Sequence, residues 1–337
     1  MTTLLDTHDV LLLDLDGTLF RGATPIPGAT DALARAAGAG HQISYLTNNG
    51  SRNPAQVAAH LVDLGFEATE SGVVTSGQAA GRLLAEKLPA GAAVLVIGTA
   101  DLRQEVLNAG LTVTDHAADA DAVVQGHSPD TAWPLLAEGC LAIRSGALWV
   151  ACNVDPTLPT ERGELPGNGS MVAALRTATG AQPLVAGKPE PWLFTEAVRR
   201  TGARRALMIG DRLDTDMAGA NAAGLPSLAV LTGVSGPGEI LCADLSLRPT
   251  YIGADLRALD EDPAVLSASA APPWTVTVEG GSGLLLGNDG SSDLFDEVAA
   301  LRALCGVHWA GGGGAVTVRA VDDTSAAALR TLGLATS

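Results

Sequence analysis

The chain's 337 residues exceed one ordinary domain, and its 47% hydrophobic content is enough for a large core, which excludes global disorder. Twenty basic residues against 37 acidic ones give a formal charge of -17, so nucleic acid is not expected as a partner, and aromatics at 3% offer no stacking platform for single strands. No apolar run reaches the roughly 18 residues of a membrane span, so no membrane insertion is expected.

The first nine residues carry two Asp and neither Lys nor Arg, unlike a secretory leader. Cys140, Cys152, Cys242 and Cys305 lack CxxC or zinc spacing, which fits free thiols in a reducing cytoplasm. In chain order, residues 10–13 form an unbroken apolar run, as in a central parallel strand covered on both faces. A helix over 29–39 follows, then a strand over 41–46 and a helix over 54–64, with Asn53 as cap and Pro54 at the first helical position. The alternation continues with strands at 93–97, 122–124, 147–151, 184–186, 206–209 and 227–231, and helices at 102–109, 133–145, 170–179 and 191–201. This pattern predicts an α/β fold, doubly wound around parallel strands.

Beyond about residue 258 the pattern changes. Residues 267–273 are rich in Ala, Ser and Pro and read as a linker. A hairpin follows, from strands at 274–278 and 284–286 around Gly280-Gly281. A helix over 294–304, a strand over 315–321 and a helix over 325–332 complete a small α+β module, read as separable from the rest.

Four polar clusters lie at or just after the C-terminal ends of predicted strands, where open α/β sheets bind ligands. Asp14 and Asp16 stand two apart in an extended segment, so their carboxylates can face one site while Leu15 faces the core. Carboxylates that close repel unless a cation lies between them, which implies a hard ion such as Mg²⁺; an Asx-turn is the alternative. Thr47, Asn48 and Asn49 offer hydroxyl and amide donors to a phosphate, or simply cap the next helix. Lys188 is one of only two lysines, in Gly187-Lys188-Pro189, and suits a phosphate as a compact charge, or sits on the surface. Asp211, Asp214 and Asp216 could hold a cation, or enrich the first turn of a helix.

In this order the four clusters resemble the signature of the haloacid dehalogenase-like (HAD) hydrolase superfamily. That signature is DxDGT on the first strand, Ser or Thr on the second, Lys after the third and GDxxxxD on the fourth. Thr47-Asn48-Asn49 and Gly187-Lys188-Pro189 are similar to the subfamily of NagD and p-nitrophenyl phosphatase. Cys152-Asn153-Val154-Asp155 with Pro166-Gly167-Asn168-Gly169-Ser170 resembles its cap. The resemblance implies a core at 1–80 and 184–257, an inserted cap at 81–183, and the extra module at 258–337. It also implies an Mg²⁺-dependent phosphatase working through an aspartyl-phosphate on Asp14, with Asp16 as general acid and base. Mg²⁺ would be held by Asp14, the Asp16 carbonyl and Asp211, with Asp216 behind them orienting Lys188 or a water. Thr47, Asn48, Asn49 and Lys188 would bind the phosphate; Asn153, Asp155 and His127 are the cap's polar candidates for the leaving group.

The extra module resembles the tail, related to a truncated GNAT acetyltransferase, found in actinobacterial phosphatases of glycerol 3-phosphate. That makes glycerol 3-phosphate the first expected substrate, ahead of phosphoglycolate, pyridoxal phosphate or nucleotides. Gly311 to Gly314 lacks the Arg or Gln of an acetyl-CoA pyrophosphate loop, so acetyl transfer is not expected. A regulatory ligand sensor is the competing reading from another class.

Overall fold

The computed structural model describes residues 2–160, 162–269, 271–280, 283–292 and 295–335. Two compact units divide the chain: Met1–Ile43, Leu64–Phe66 and Ala203–Ser337 in one, Ser44–Asp63 and Glu67–Gly202 in the other.

In the first unit, strands Tyr251–Gly253, Ser227–Val230, Ala206–Gly210 and Val10–Leu13 lie side by side in that order, all parallel. Every residue of the three longer strands is buried, which is why they read as continuous apolar runs. On the far side of Val10–Leu13 the chain returns through Gln42, whose N–H donates to Asp9 O at 3.3 Å. Strand register pairs Leu13 with Ile209, so the two motif-bearing strand ends stop at the same level.

The second unit carries a five-stranded sheet. Its order is Leu184–Val185, Leu148–Ala151, Ala122–Gln125, Ala93–Ile97, Thr112–Thr114, again wholly parallel. Helices Trp133–Arg144 and Asn168–Thr179 cover the face formed by Leu95, Ile97, Val123, Trp149 and Ala151. Helices Ser76–Lys87 and Ala100–Asn108 pack closely at Gly81, where a Cβ would meet Glu105 O at 2.8 Å. Strand Gln42–Thr47 ends in this unit, its last three residues pairing with Val73–Thr75. Asn53 caps Pro54–Asp63 as expected, accepting from Gln56 N at 2.9 Å.

The tail has the expected α+β form. Strands Trp274–Glu279, Gly283–Asn288 and Thr317–Ala320 make a three-stranded sheet with helices Glu297–Ala310 and Asp323–Thr331. Gly281 of the expected turn and Leu294 at the expected helix start lie outside the described residues. The long helix begins later than expected, at Glu297, capped by Asp296, whose carboxylate accepts from Ala299 N. It also runs six residues further, to Ala310, and at Gly306 it is closely approached: a Cβ there would strike Ser269 Cα at 2.8 Å.

That contact changes the reading of the tail as separable. Residues 267–269 pack on the helix instead of acting as a free linker, and Leu266 before them is fully buried. Trp274, Leu284, Leu286, Leu301 and Leu304 of the tail share one buried cluster with Leu213, Met217, Ile240, Leu241 and Ile252. Arg302, itself buried, donates to Ile252 O at 2.9 Å and to Asp296 Oδ2 at 3.0 Å.

Candidate active site

In the first unit, Asp14, Asp211 and Asp216 each bring a carboxylate oxygen within 4.8 Å of the others. Asp14 continues the first strand, its N–H donating to Ile209 O at 2.9 Å. Asp211 begins where Ala206–Gly210 ends, and Asp216 lies one turn further on, in a π-helical turn over Leu213–Met217. Such wide turns recur at functional sites because they re-aim one side chain. Here the turn brings Asp216 back on to its own strand: Arg212 N–H donates to Asp216 Oδ2 at 3.2 Å, and a Cβ on Gly210 would overlap the Asp216 carboxyl at 2.4 Å. Only glycine fits at 210. Asp211 and Asp216 are 2% and 0% exposed, so their charges cannot be answered by bulk water.

Asp211 is held by a collar from residues 232–235. Val234 N–H donates to its Oδ2 at 2.7 Å, and Ser235 N–H to its carbonyl at 3.0 Å. The Ser235 hydroxyl accepts from Leu213 N at 3.0 Å, and a Cβ on Gly233 would sit 1.8 Å from Asp211 Oδ2. Thr18 Oγ1 adds a longer contact at 3.4 Å. Gly17, at φ +84°, makes the turn after Asp16 that only glycine takes without strain, and its own Cβ would collide with Asp211. The collar was not foreseen from sequence; its one signal is a Thr-Gly-Val-Ser segment directly after a central parallel strand.

The donor set of three carboxylates fits a hard divalent cation, which prefers oxygen ligands and relieves the mutual repulsion of the acids. Asp216 therefore stands in the carboxylate group itself, more central than the supporting place expected of it. The Asp16 side chain is exposed and outside that group, while Leu15 is buried as expected. Asp214 points away into solvent, where two hydrogen bonds from Arg212 hold its carboxyl below the usual range.

In the second unit, Asn48 ties three predicted residues together. Its Oδ1 accepts from Lys188 N at 2.7 Å, and its Nδ2 donates to Lys188 O at 3.1 Å and to Asp155 Oδ2 at 3.3 Å. Gly187 must lack a side chain, since a Cβ would stand 2.5 Å from Asn48 Oδ1. Lys188 is 3% exposed, which removes the surface-lysine alternative. Asn153, also buried, donates to Asn48 O at 2.7 Å and accepts from Asp155 N at 3.2 Å. Asn168 in turn donates to Asn153 O at 2.7 Å. The amides of Asn48 and Asn153 thus frame the loop that presents Lys188 and Asp155. Thr47 Oγ1 accepts from Asn49 N at 3.0 Å, and Asn49 Oδ1 accepts from Ser51. His127 is half-buried in the loop after Ala122–Gln125.

The glycine-rich loop of the tail is closed to a pyrophosphate. The N–H groups of Gly311, Gly312 and Gly313 donate to Val307, His308 and Trp309 carbonyls at the end of the helix, and Gly312 O accepts from Arg248 at 3.0 Å. No run of amides is left to cradle an anion there.

The chain belongs to the haloacid dehalogenase-like hydrolase family. The profile of haloacid dehalogenase-like hydrolases matches residues 11–112, a second HAD-hydrolase-like profile matches 185–259, and a GCN5-related N-acetyltransferase-like domain matches 271–334. Among individual relatives, it is similar to the D-glycerol 3-phosphate phosphatase of Mycobacterium tuberculosis, at 53% identity covering 92% of this chain and 88% of that protein. A 5'-nucleotidase of Bacillus subtilis is 41% identical over 68% of this chain and 89% of its own length. The crystal structure of the M. tuberculosis glycerol phosphate phosphatase with magnesium aligns at TM-score 0.93 and 50% identity, covering 99% of this chain and 100% of that one. A 4-nitrophenylphosphatase of Thermotoga maritima aligns at 0.69 and 27%, covering 76% and 98%. Among the described residues, no helix is long and apolar enough to cross a membrane.

Proposed function

We propose that this chain is an Mg²⁺-dependent phosphatase that hydrolyses glycerol 3-phosphate to glycerol and phosphate. The observation that carries the reading is the group formed by Asp14, Asp211 and Asp216 at two adjacent strand ends, in a chain 53% identical to a D-glycerol 3-phosphate phosphatase. These carboxylates, with the Asp16 carbonyl, would hold the Mg²⁺, which when bound neutralises phosphate charge and offsets carboxylate repulsion.

Asp14 attacks phosphorus in line, forming an acyl-phosphate as the P–O ester bond breaks. Asp16, whose exposed carboxyl is free of the carboxylate group, gives a proton to the leaving glycerol alkoxide. It then takes a proton from the water that cleaves the acyl-phosphate, releasing phosphate and restoring Asp14. Lys188 and Thr47 neutralise and orient the phosphate oxygens. Asn48, Asn49 and Asn153 act one step back, holding the loops that carry Lys188 and Asp155. Asp155 accepts a hydroxyl hydrogen bond from the glycerol moiety, and His127 borders the leaving-group side. The functional partition is core 1–80 and 184–257, cap 81–183 and tail 258–337. The enzyme works in the cytoplasm on a small soluble ester and needs no nucleic acid.

Hydrolysis of p-nitrophenyl phosphate, run with Mg²⁺ and with EDTA, separates this reading from a ligand sensor. Turnover that EDTA abolishes supports it; absence of turnover in both conditions overturns it.

A further inference from the structure

The tail lies far along the chain from every motif, yet it reaches the segment that builds the Asp211 collar. Residues 232–235 wrap Asp211, and the short helix Pro237–Leu241 follows without a break. That helix has one turn of its own hydrogen bonding, so its position depends on what packs against it. What packs against it is the tail. Ile240 and Leu241, each 1% exposed, lie in the cluster shared with Leu301, Leu304 and Leu329. The Trp309 indole N–H donates to Leu241 O at 3.1 Å. Arg248 stacks over the Trp309 ring at 5.3 Å while its Nε donates to Ala243 O at 3.1 Å and its Nη2 to Gly312 O at 3.0 Å. Leu213 and Met217, the two ends of the π-helical turn that carries Asp216, belong to the same cluster.

We infer that the acetyltransferase-like tail is a working part of the metal site: Trp309, clasped by Arg248, pins the Pro237–Leu241 helix and so keeps the 232–235 collar closed on Asp211. Trp309 is a positioning residue, since it touches no reacting atom. The inference rests on the metal-dependent reading above, and it extends that reading to the tail.

The test measures Mn²⁺ binding to the metal-free full chain at 20 °C by the electron paramagnetic resonance of free Mn²⁺, beside thermal unfolding in EDTA. Four variants are compared with the wild type. Asp211→Asn defines loss of the site. Trp309→Phe keeps an aromatic side chain and removes the indole N–H donor, and Arg248→Lys removes the fork that clasps the ring. Leu329→Ala creates a cavity in the same cluster away from the collar. Trp309→Phe and Arg248→Lys are each expected to weaken Mn²⁺ binding at least about threefold, the scale of one lost hydrogen bond. Leu329→Ala is expected to lower the unfolding temperature more than either, with Mn²⁺ affinity unchanged. Wild-type affinity in both Trp309→Phe and Arg248→Lys, with binding lost in Asp211→Asn, overturns the inference and leaves the metal reading standing. Equal weakening in Leu329→Ala reduces the tail to general stability and overturns it too. A wild type that holds no Mn²⁺ overturns both.

Discussion

Deleting residues 258–337 should unfold the first unit, although every catalytic motif ends by Asp216. Ile240, Leu241 and Ile252 are each at most 1% exposed, and all three lie in the cluster shared with the tail. Baring only these three side chains costs about 1.5–3 kcal/mol each, or about 5–9 kcal/mol together. Domains are stable by about 5–15 kcal/mol, so the truncated unit keeps little or none of its margin. The loss of Arg302 also leaves Ile252 O, on the edge strand, without the 2.9 Å bond it accepts. Size-exclusion chromatography and thermal unfolding by circular dichroism should find aggregated or unfolded protein. A graded version is Leu301→Ala, at a residue with no exposure. Its cavity costs about 2–5 kcal/mol, and at about 2–4 °C per kcal/mol the melting temperature should fall by about 4–20 °C. A truncated protein that is monomeric and melts cooperatively within about 5 °C of the full chain would refute the shared core.

Asp14→Asn should abolish turnover and leave the melting temperature near wild type, because an amide cannot form the acyl-phosphate; retained activity would remove Asp14 as nucleophile. Gly233→Ala places a Cβ where Asp211 Oδ2 stands, 1.8 Å away, so the Mg²⁺ concentration for half-maximal rate should rise at least about tenfold; an unchanged titration counts against Asp211 as a ligand. Asp155→Ala should slow glycerol 3-phosphate turnover more than p-nitrophenyl phosphate turnover, since the second offers no hydroxyl; equal losses would mean that Asp155 serves the Asn48 loop alone. Burial pushes the Cys152 thiol up to about 12, so at pH 8 a thiol reagent should modify exposed Cys242 and spare Cys152 in the folded protein.

What could be read from the sequence is what its local pattern determines. Val10–Leu13 and Ala206–Gly210 are buried on both faces, so their apolar runs stand out, and the acids that end them follow at once. The edge strands Val73–Thr75, Thr112–Thr114 and Tyr251–Gly253 were not read, because three residues are too few to show a period. Lys188 was legible as a motif, but its burial and the hold of Asn48, 140 positions away, on its backbone were not. The Asp211 collar and the tail's grip on Pro237–Leu241 are likewise products of tertiary contact. Sequence showed the tail's long helix as an element; only the structure shows that it shares a buried cluster with Leu213, Ile240 and Ile252.

The central claim is met most directly by phosphate release from glycerol 3-phosphate, measured beside phosphoglycolate, pyridoxal phosphate and a nucleoside monophosphate, with Mg²⁺ and with EDTA. The account predicts turnover that requires Mg²⁺, with kcat/KM for glycerol 3-phosphate at least about tenfold above each of the others, a difference of about 1.4 kcal/mol in transition-state binding. A preference for phosphoglycolate, or release that is indifferent to EDTA, would contradict it.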